Sequence, residues 1–189
     1  MTRKKDFMTE SYKKVEQFVK ESFEKAGKPQ SFPHLERTTY WIKKLKPNAD
    51  EALLIAGVAH DVERAVYGNW VKGSLDKKIL QKHMDQSAQV ITEFLKKENV
   101  GEKTITRIKM LVANHEFGGN DDQNLLKDAD SISFLENNTG HFINNPDLDK
   151  ISVKNKFDHI YNRISSDQAR QIAKPMYDEA IIKLNVKLI

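Results

Sequence analysis

The chain has 189 residues, of which 39% are hydrophobic and 31% are charged, proportions typical of a globular protein with a sizeable core. Its formal net charge of +4 favours anionic ligands such as phosphates, but it is too small to indicate nucleic-acid binding by itself. The chain has no cysteine, which excludes disulfides and thiolate metal sites. Any metal ion must therefore be bound by histidines and carboxylates.

The basic N-terminal residues are not followed by the apolar segment of a signal peptide. The longest apolar run is also far too short to cross a membrane. We therefore expect a cytoplasmic protein without a membrane partner, and we make no prediction of its oligomeric state.

Apolar residues recur at helical spacing along nearly the whole chain, which predicts an all-α fold of about eight to ten helices. No alternating pattern persists long enough to indicate a β-strand. In chain order, the first predicted helix runs from Phe7 to Phe23 with Gly27 closing it, the second from Ser31 to about Lys46, and the third from its cap Asp50 into His60 and Asp61.

The later helices follow a loop that contains Gly68 and Gly73. They are predicted from the cap Ser74 to about Lys82, from Asp85 or Ser87 onwards, from Thr104 to His115, over residues 124–137, from Val153 to Ile164, and from Asp167 to about Leu184. Residues 136–150 are rich in Asn, Gly and Pro, and we predict a turn-rich connector there that could act as a mobile lid.

Six polar residues stand out because each touches an apolar stripe at or near a predicted helix end or junction: His34, His60, Asp61, His83, His115 and Asp130. Taken singly, each is more simply explained as a helix cap or a hydrogen-bonded core residue. Burying imidazoles and carboxylates without partners is costly, however. A bound divalent metal ion would explain the whole set at once.

Three segments, FPHLERT, AGVAHDVERA and LLKDADSISFLE, carry four of these residues in a characteristic order. They resemble the signature of the HD superfamily of metal-dependent phosphohydrolases, which has a His, a His-Asp doublet and a distant Asp on an all-α bundle. His34, His60, Asp61 and Asp130 match this signature residue by residue, although Ser131 and Ile132 stand where Arg-Leu is common. The resemblance covers roughly residues 30–136, and we expect one HD domain over residues 1–189, with C-terminal helices at about 150–187.

The segments KHMDQSAQVITEFL and MLVANHEFGG resemble the additional ligand motifs of the binuclear HD branch. The resemblance implies that His34, His60, Asp61 and Asp130 bind one ion, and that His83 and His115 bind a second, with Asp61 bridging. It further implies two divalent transition-metal ions, of iron, manganese, nickel or zinc, with magnesium as an activator.

The resemblance implies hydrolysis of a nucleotide or another small phosphate ester by a metal-activated water. Two other functions stay open: a mixed-valent di-iron oxygenase with the same ligands, and a binding module with a weak site. Metal-dependent hydrolysis needs no Ser or Cys nucleophile, and the sequence indicates none.

Residues beside the predicted ligands are candidates for catalysis and substrate binding. Asp61 and Glu63 are the predicted catalytic residues, with Glu63 orienting a water or acting as a general base. Arg64, Arg37, Glu116 and Arg163 are predicted to bind substrate, because guanidinium groups pair well with phosphate and Glu116 follows a predicted ligand. The alternative for the Glu63 and Arg64 pair is a solvated helix end.

Overall fold

The computed structural model describes residues 9–68, 71 and 73–186. These residues form α-helices without any β-strand, which confirms the predicted all-α fold. The helices are α1 (Glu10–Lys25), α2 (Phe32–Leu45), α3 (Glu51–Ala59), α4 (Glu63–Val66), α5 (Lys77–Lys97), α6 (Glu102–Val112), α7 (Asp121–Asn137), α8 (Thr139–Ile143), α9 (Lys150–Asn162) and α10 (Asp167–Val186), and a 3₁₀ turn, Pro29–Ser31, precedes α2.

Several helices begin directly after a residue whose side chain caps their first backbone N–H groups. The Thr9 side chain accepts a hydrogen bond from Tyr12 N and caps α1. The predicted start at Phe7 lies outside the described residues. Asp50 accepts from Leu53 N at 3.0 Å and caps α3 as predicted. Among the described residues, no helix has both the length and the apolar character needed to span a membrane.

The region predicted as two helices around His83 is one continuous helix, α5. Its cap is Asp76 rather than Ser74, and Asp85 lies on its exposed face, where it accepts a hydrogen bond from Gln81. The apolar stripe therefore continues past Asp85 without a break. His83 consequently lies inside a helix and not at a junction.

The predicted connector over residues 136–150 is largely ordered into helix. It includes the end of α7 and all of α8. Asp149 caps α9, which begins at Lys150, three residues before the predicted Val153. Phe142 is buried and packs with Phe134 and Phe157 at ring-centroid distances of 5.1 and 6.5 Å. The prediction of a turn-rich connector is therefore wrong for the part of this region that lies in α7 and α8.

The core consists of two apolar clusters that share α7. Leu126 and Ala129 of α7 pack in the first cluster with residues of α1, α2, α3, α5 and α6. Ile132 and Leu135 pack in the second cluster with α8, α9 and α10. Asp130 therefore lies on α7 where the two clusters meet.

The most deeply buried helix is α3, and Gly57 allows it to approach α2 closely. A Cβ atom at Gly57 would lie 2.6 Å from Ile42 Cδ1 and 3.4 Å from Thr39 Cα. Ile42 is fully buried, so it has little room to move away. The Gly57 carbonyl also accepts a hydrogen bond from His60 Nδ1 at 2.8 Å, so this close packing positions a predicted ligand.

We expect Gly57→Ala to lower the free energy of unfolding by about 1–3 kcal/mol, because overpacking outweighs the gain in helix propensity. The control is Gly140→Ala in α8, where an added Cβ would meet no atom within 4 Å. That change should be neutral or stabilise by up to about 1 kcal/mol. Urea unfolding of both variants measures the difference, and equal effects would contradict tight packing at Gly57.

Candidate metal centre

The six predicted metal ligands lie together although they come from separate parts of the chain. They lie on α2 and α7, at the end of α3, on α5 and in the turn after α6. None of them is more than 5% exposed: His34, His60, Asp61, His83, His115 and Asp130. Such a set cannot be accounted for by solvation, so its members must satisfy one another or a bound ion.

The first group is built around Asp130. Its Oδ1 atom lies 3.1 Å from His34 Nε2 and 3.3 Å from His60 Nε2. One donor atom from each of these three residues lies within 4.8 Å of the others. This spacing allows all three to reach a single ion.

The second group is built around Asp61. Its Oδ1 atom lies 2.9 Å from His83 Nε2 and 3.6 Å from His115 Nε2, while its Oδ2 atom lies 3.8 Å from His60 Nε2. Asp61 therefore lies between imidazoles of both predicted positions. Glu116, predicted to bind substrate, also has a donor atom within 4.8 Å of those of His83 and His115.

The outer nitrogen of each imidazole is fixed by a hydrogen bond. His60 Nδ1 and His115 Nδ1 donate to the carbonyls of Gly57 and Val112, each at 2.8 Å. A carbonyl accepts only, so these Nδ1 atoms carry the proton and a neutral ring keeps its Nε2 lone pair for the centre. Metal-binding histidines are typically held in this way.

The same orientation holds for His34 and His83. Ser133 Oγ donates to the His34 carbonyl at 2.7 Å and therefore accepts from His34 Nδ1 at 2.9 Å. Glu63 Oε1 lies 2.6 Å from His83 Nδ1, and Ser87 Oγ donates to Glu63 Oε2 at 3.1 Å. All four Nε2 atoms thus face the two aspartates.

Two atoms of the cluster have no hydrogen-bond partner among the described residues: His60 Nε2 and Asp61 Oδ1. Both are buried, and their close neighbours are not aligned for hydrogen bonding. Leaving such groups unsatisfied is costly, and a divalent cation would satisfy both at once. The nitrogen and oxygen donors therefore fit the transition metals predicted from the sequence.

Charge around the cluster keeps its carboxylates ionised. Burial alone would raise the pKa of Asp61, but Arg64 and the imidazoles of His60 and His83 hold it well below its ordinary value. Burial is likewise outweighed at Asp130, where Arg163 and His60 keep the pKa well below its ordinary value. Both side chains are therefore anionic at neutral pH, as metal binding requires.

Glu63 lies behind His83 and not beside the cavity. It is buried, and both of its oxygens are engaged by His83 and Ser87. The structure therefore places it as a residue that orients a predicted ligand, in contrast to the predicted contact with a reacting water. The helix breaks after α3 and restarts at Glu63, which is why the spacing of one continuous helix does not apply.

Three of the four residues predicted to bind substrate do line the cavity beside the cluster, namely Arg64, Glu116 and Arg163. Arg64 pairs with Asp61, and Arg163 pairs with both Asp130 and Glu116. Arg163 Nε also donates to Ser131 Oγ at 2.8 Å. The alternative prediction, that Glu63 and Arg64 lie at a solvated helix end, is therefore wrong. Glu63 is buried, and the side chain of Arg64 is only 20% exposed.

Arg37 lies outside the cavity lining. It forms a bidentate pair with Glu136 at 2.7 and 2.8 Å and stacks over the Tyr40 ring at 3.8 Å. Glu136 lies near the end of α7, so this pair joins α2 to α7 on the surface. Although Arg37 is only one turn beyond His34, its side chain is directed away from the predicted ligands and towards Glu136.

The choice between two aspartates of α7 is resolved by their contacts. Asp128 accepts hydrogen bonds from Ser165 N at 2.7 Å and Ser166 N at 2.9 Å, and thereby holds the start of α10. Asp130 contacts the imidazoles instead. Asp130 is therefore the member of the pair that can bind metal, as the motif predicts.

The cavity has a volume of about 470 Å³ and contains residues that the sequence reasoning missed, among them Lys28, His141 and Lys156. Lys156 could have been recognised, because it occupies the apolar face of α9 defined by Val153 and Ile160. Lys28 and His141 carry no such signal, since Lys28 lies in the connection before α2 and His141 is an exposed residue of the short helix α8.

We expect the purified protein to contain a first-row transition metal and Asp61→Ala to lose all of it, because Asp61 lies between both groups. His83→Ala should lose about one metal equivalent. Elemental analysis measures both. His159→Ala, outside the cluster, is the control and should keep the wild-type content. Unchanged metal content in His83→Ala would show that there is no second ion at this position.

Metal affinity should depend on pH through His83. Burial opposes its charged form, but Asp61 and Glu63 outweigh burial and raise the pKa of His83 to about 9. The proton therefore stabilises the metal-free fold below about pH 6.5, and this contribution is lost as the pH rises through about 9.

Because the metal must displace this proton, the association constant should rise about tenfold per pH unit between roughly pH 7 and 8. Competition with a chromophoric chelator measures it. A flat profile for the wild type would contradict proton displacement, and His83→Ala should lose the dependence that this proton causes.

Comparison with protein families matches residues 11–183 to a family described as "Domain of unknown function (DUF4202)". Comparison with curated proteins and with solved structures gives no match. Because the family match extends over most of the 189 residues, the chain belongs to the DUF4202 family.

Proposed function

We propose that the protein is a metal-dependent phosphohydrolase that acts on a nucleotide or another small phosphate ester, as its resemblance to the HD superfamily implies. One observation carries the proposal: the buried His and Asp cluster opens onto a cavity whose wall also presents Arg64 and Arg163. Metal ligands and guanidinium groups side by side are suited to a phosphate, since both recognise its oxygens.

In this proposal His34, His60 and Asp130 hold one ion, while His83 and His115 hold the other, with Asp61 between them. The bound ions would polarise the phosphoryl group and lower the pKa of a water towards neutrality. The four imidazoles need no rearrangement for this, because their Nδ1 atoms are already held by hydrogen bonds.

Arg163 is the residue best placed to orient the phosphate. Its side chain is 7% exposed and is held by Asp130, Glu116 and Ser131, so it is fixed before a substrate binds. Preorganised donors of this kind stabilise developing charge without reorganising during the reaction. Arg64, paired with Asp61, provides a second guanidinium beside the cluster.

The rest of the cavity suits the organic part of the ester. Apolar side chains line it, including Phe23, Leu35, Phe134 and Ile160, together with the amides of Asn137 and Asn138. An apolar wall excludes water and strengthens the electrostatic interactions at the cluster. The amides can provide hydrogen bonds that fix the orientation of a bound ligand.

The same ligands would serve a mixed-valent di-iron oxygenase. The cationic residues of the cavity favour the hydrolase, because they provide a site for an anionic group on the substrate. A cluster of six buried ligands likewise favours an enzyme over a binding module with a weak site.

We expect phosphate release from some members of a panel of nucleotides and phosphate esters, assayed without oxygen in the presence of Mn²⁺, Fe²⁺, Co²⁺ or Mg²⁺. Asp61→Asn should lower turnover at least about a hundredfold, because even outer-shell changes cost up to that much. Asp147→Asn, an exposed carboxylate, is the matched control and should not change turnover. Oxygen consumption with an organic substrate, without phosphate release, would overturn the proposal.

A further inference from the structure

Lys156 is a buried lysine whose Nζ has no hydrogen-bond or ion-pair partner in the part of the chain that the structure describes. It is 4% exposed and forms part of the cavity wall, whereas Lys150 and Lys154 on the same helix are exposed. Among the described residues it makes no hydrogen bond and no ion pair, and its closest aromatic contact is the Phe134 ring, 5.9 Å from Nζ. That distance is at the outer limit of a cation–π interaction.

Leaving an ammonium group in this position is unfavourable. Burial lowers the pKa of Lys156, and the nearby charge of Glu116 only partly opposes this. Buried lysines are normally paired, since an isolated buried charge is very costly. An anion that enters the cavity would provide the missing partner.

None of the described carboxylates of the cavity forms an ion pair with Lys156, and each of them faces an arginine instead. Glu116 and Asp130 are both paired with Arg163, and Asp61 is paired with Arg64. The cavity lining contains four Lys or Arg side chains against three carboxylates: Lys28, Arg64, Lys156 and Arg163, against Asp61, Glu116 and Asp130. The wall therefore carries an excess of positive charge even before a metal ion binds.

Lys156 in α9 and Arg163, the residue directly after α9, lie on the same side of the helix, because seven residues make about two helical turns. Arg163 lies at the end near the metal centre, through its contact with Asp130. Lys156 lies roughly 10 Å from it along the helix axis, a distance that two long side chains can bridge towards one ligand. The helix thus presents one fixed and one unpaired cation to the cavity.

We infer that Lys156 binds the phosphate group of the substrate and is a specificity-determining residue of this site. The inference deepens the proposed function and rests on it for the identity of the anion. Lys156 then discriminates in favour of phosphorylated ligands over their uncharged counterparts, because only an anion compensates its buried charge.

The test is the binding of inorganic phosphate to the metal-free full-length chain, measured by isothermal titration calorimetry. Lys156→Met keeps the length and apolar stem of the side chain but removes the charge, and it should weaken binding about ten- to a hundredfold. Lys156→Arg should retain most of the binding. Lys150→Met, an exposed lysine on the same helix, is the matched control and should bind phosphate as the wild type does.

Thermal unfolding separates this role from a structural one. Without phosphate, Lys156→Met should unfold at a higher temperature than the wild type, because a buried unpaired charge is gone. Phosphate should then stabilise the wild type but not this variant. A lower unfolding temperature together with wild-type phosphate binding would overturn the inference, as would no phosphate binding to the metal-free wild type.

The inference and the proposed function can fail separately. Phosphate binding that depends on Lys156, in a metal-loaded protein that releases no phosphate from any ester, would support the inference and count against the hydrolase. Hydrolysis by Lys156→Met with an unchanged KM and unchanged phosphate binding would overturn the inference and leave the hydrolase supported.

Discussion

The positions of several helices depend on two buried carboxylates, Asp61 and Asp130. Each faces imidazoles whose own outer nitrogens are already engaged, so the helices that carry these residues must be placed at fixed positions relative to one another. The close packing of α3 on α2 at Gly57 and the early end of α6 both serve this requirement. Six polar groups in the interior must satisfy one another or a shared ion, because burying them without partners is costly.

The fold class and the positions of the ligand-bearing helices could be predicted from the sequence because they depend on local patterns. Apolar periodicity and capping residues such as Asp50 act over a few residues, and the His and Asp motifs follow in a recognisable order. The continuity of α5 was missed because polar residues around Asp85 resemble a break, whereas packing keeps them on an exposed face. The order of residues 136–150 was missed for a related reason, since it depends on Phe142 meeting distant aromatic residues.

The role of each residue in the site depends on where its side chain points, and the spacing of residues in the sequence does not determine this. Arg37 and Glu63 both lie close to ligands in sequence, yet one faces Glu136 at the surface and the other lies behind His83. Arg163 is far from every ligand in sequence, yet it contacts Asp130 directly. The helix break after α3 explains the position of Glu63, and the long-range packing of α9 explains that of Arg163. Neither can be inferred from a motif.

The sharing of α7 between the two apolar clusters has a consequence for cooperativity. Ile132 and Leu135 pack in the second cluster and Ala129 packs in the first, while Asp130 belongs to the candidate metal centre. If α8, α9 and α10 detached as a unit, the end of α7 would lose its packing, and Asp130 would no longer be held in place beside His34 and His60. An ion bound at Asp130 would therefore suppress sub-global opening of the C-terminal helices, and amide hydrogen exchange there would report on events some distance away at the centre.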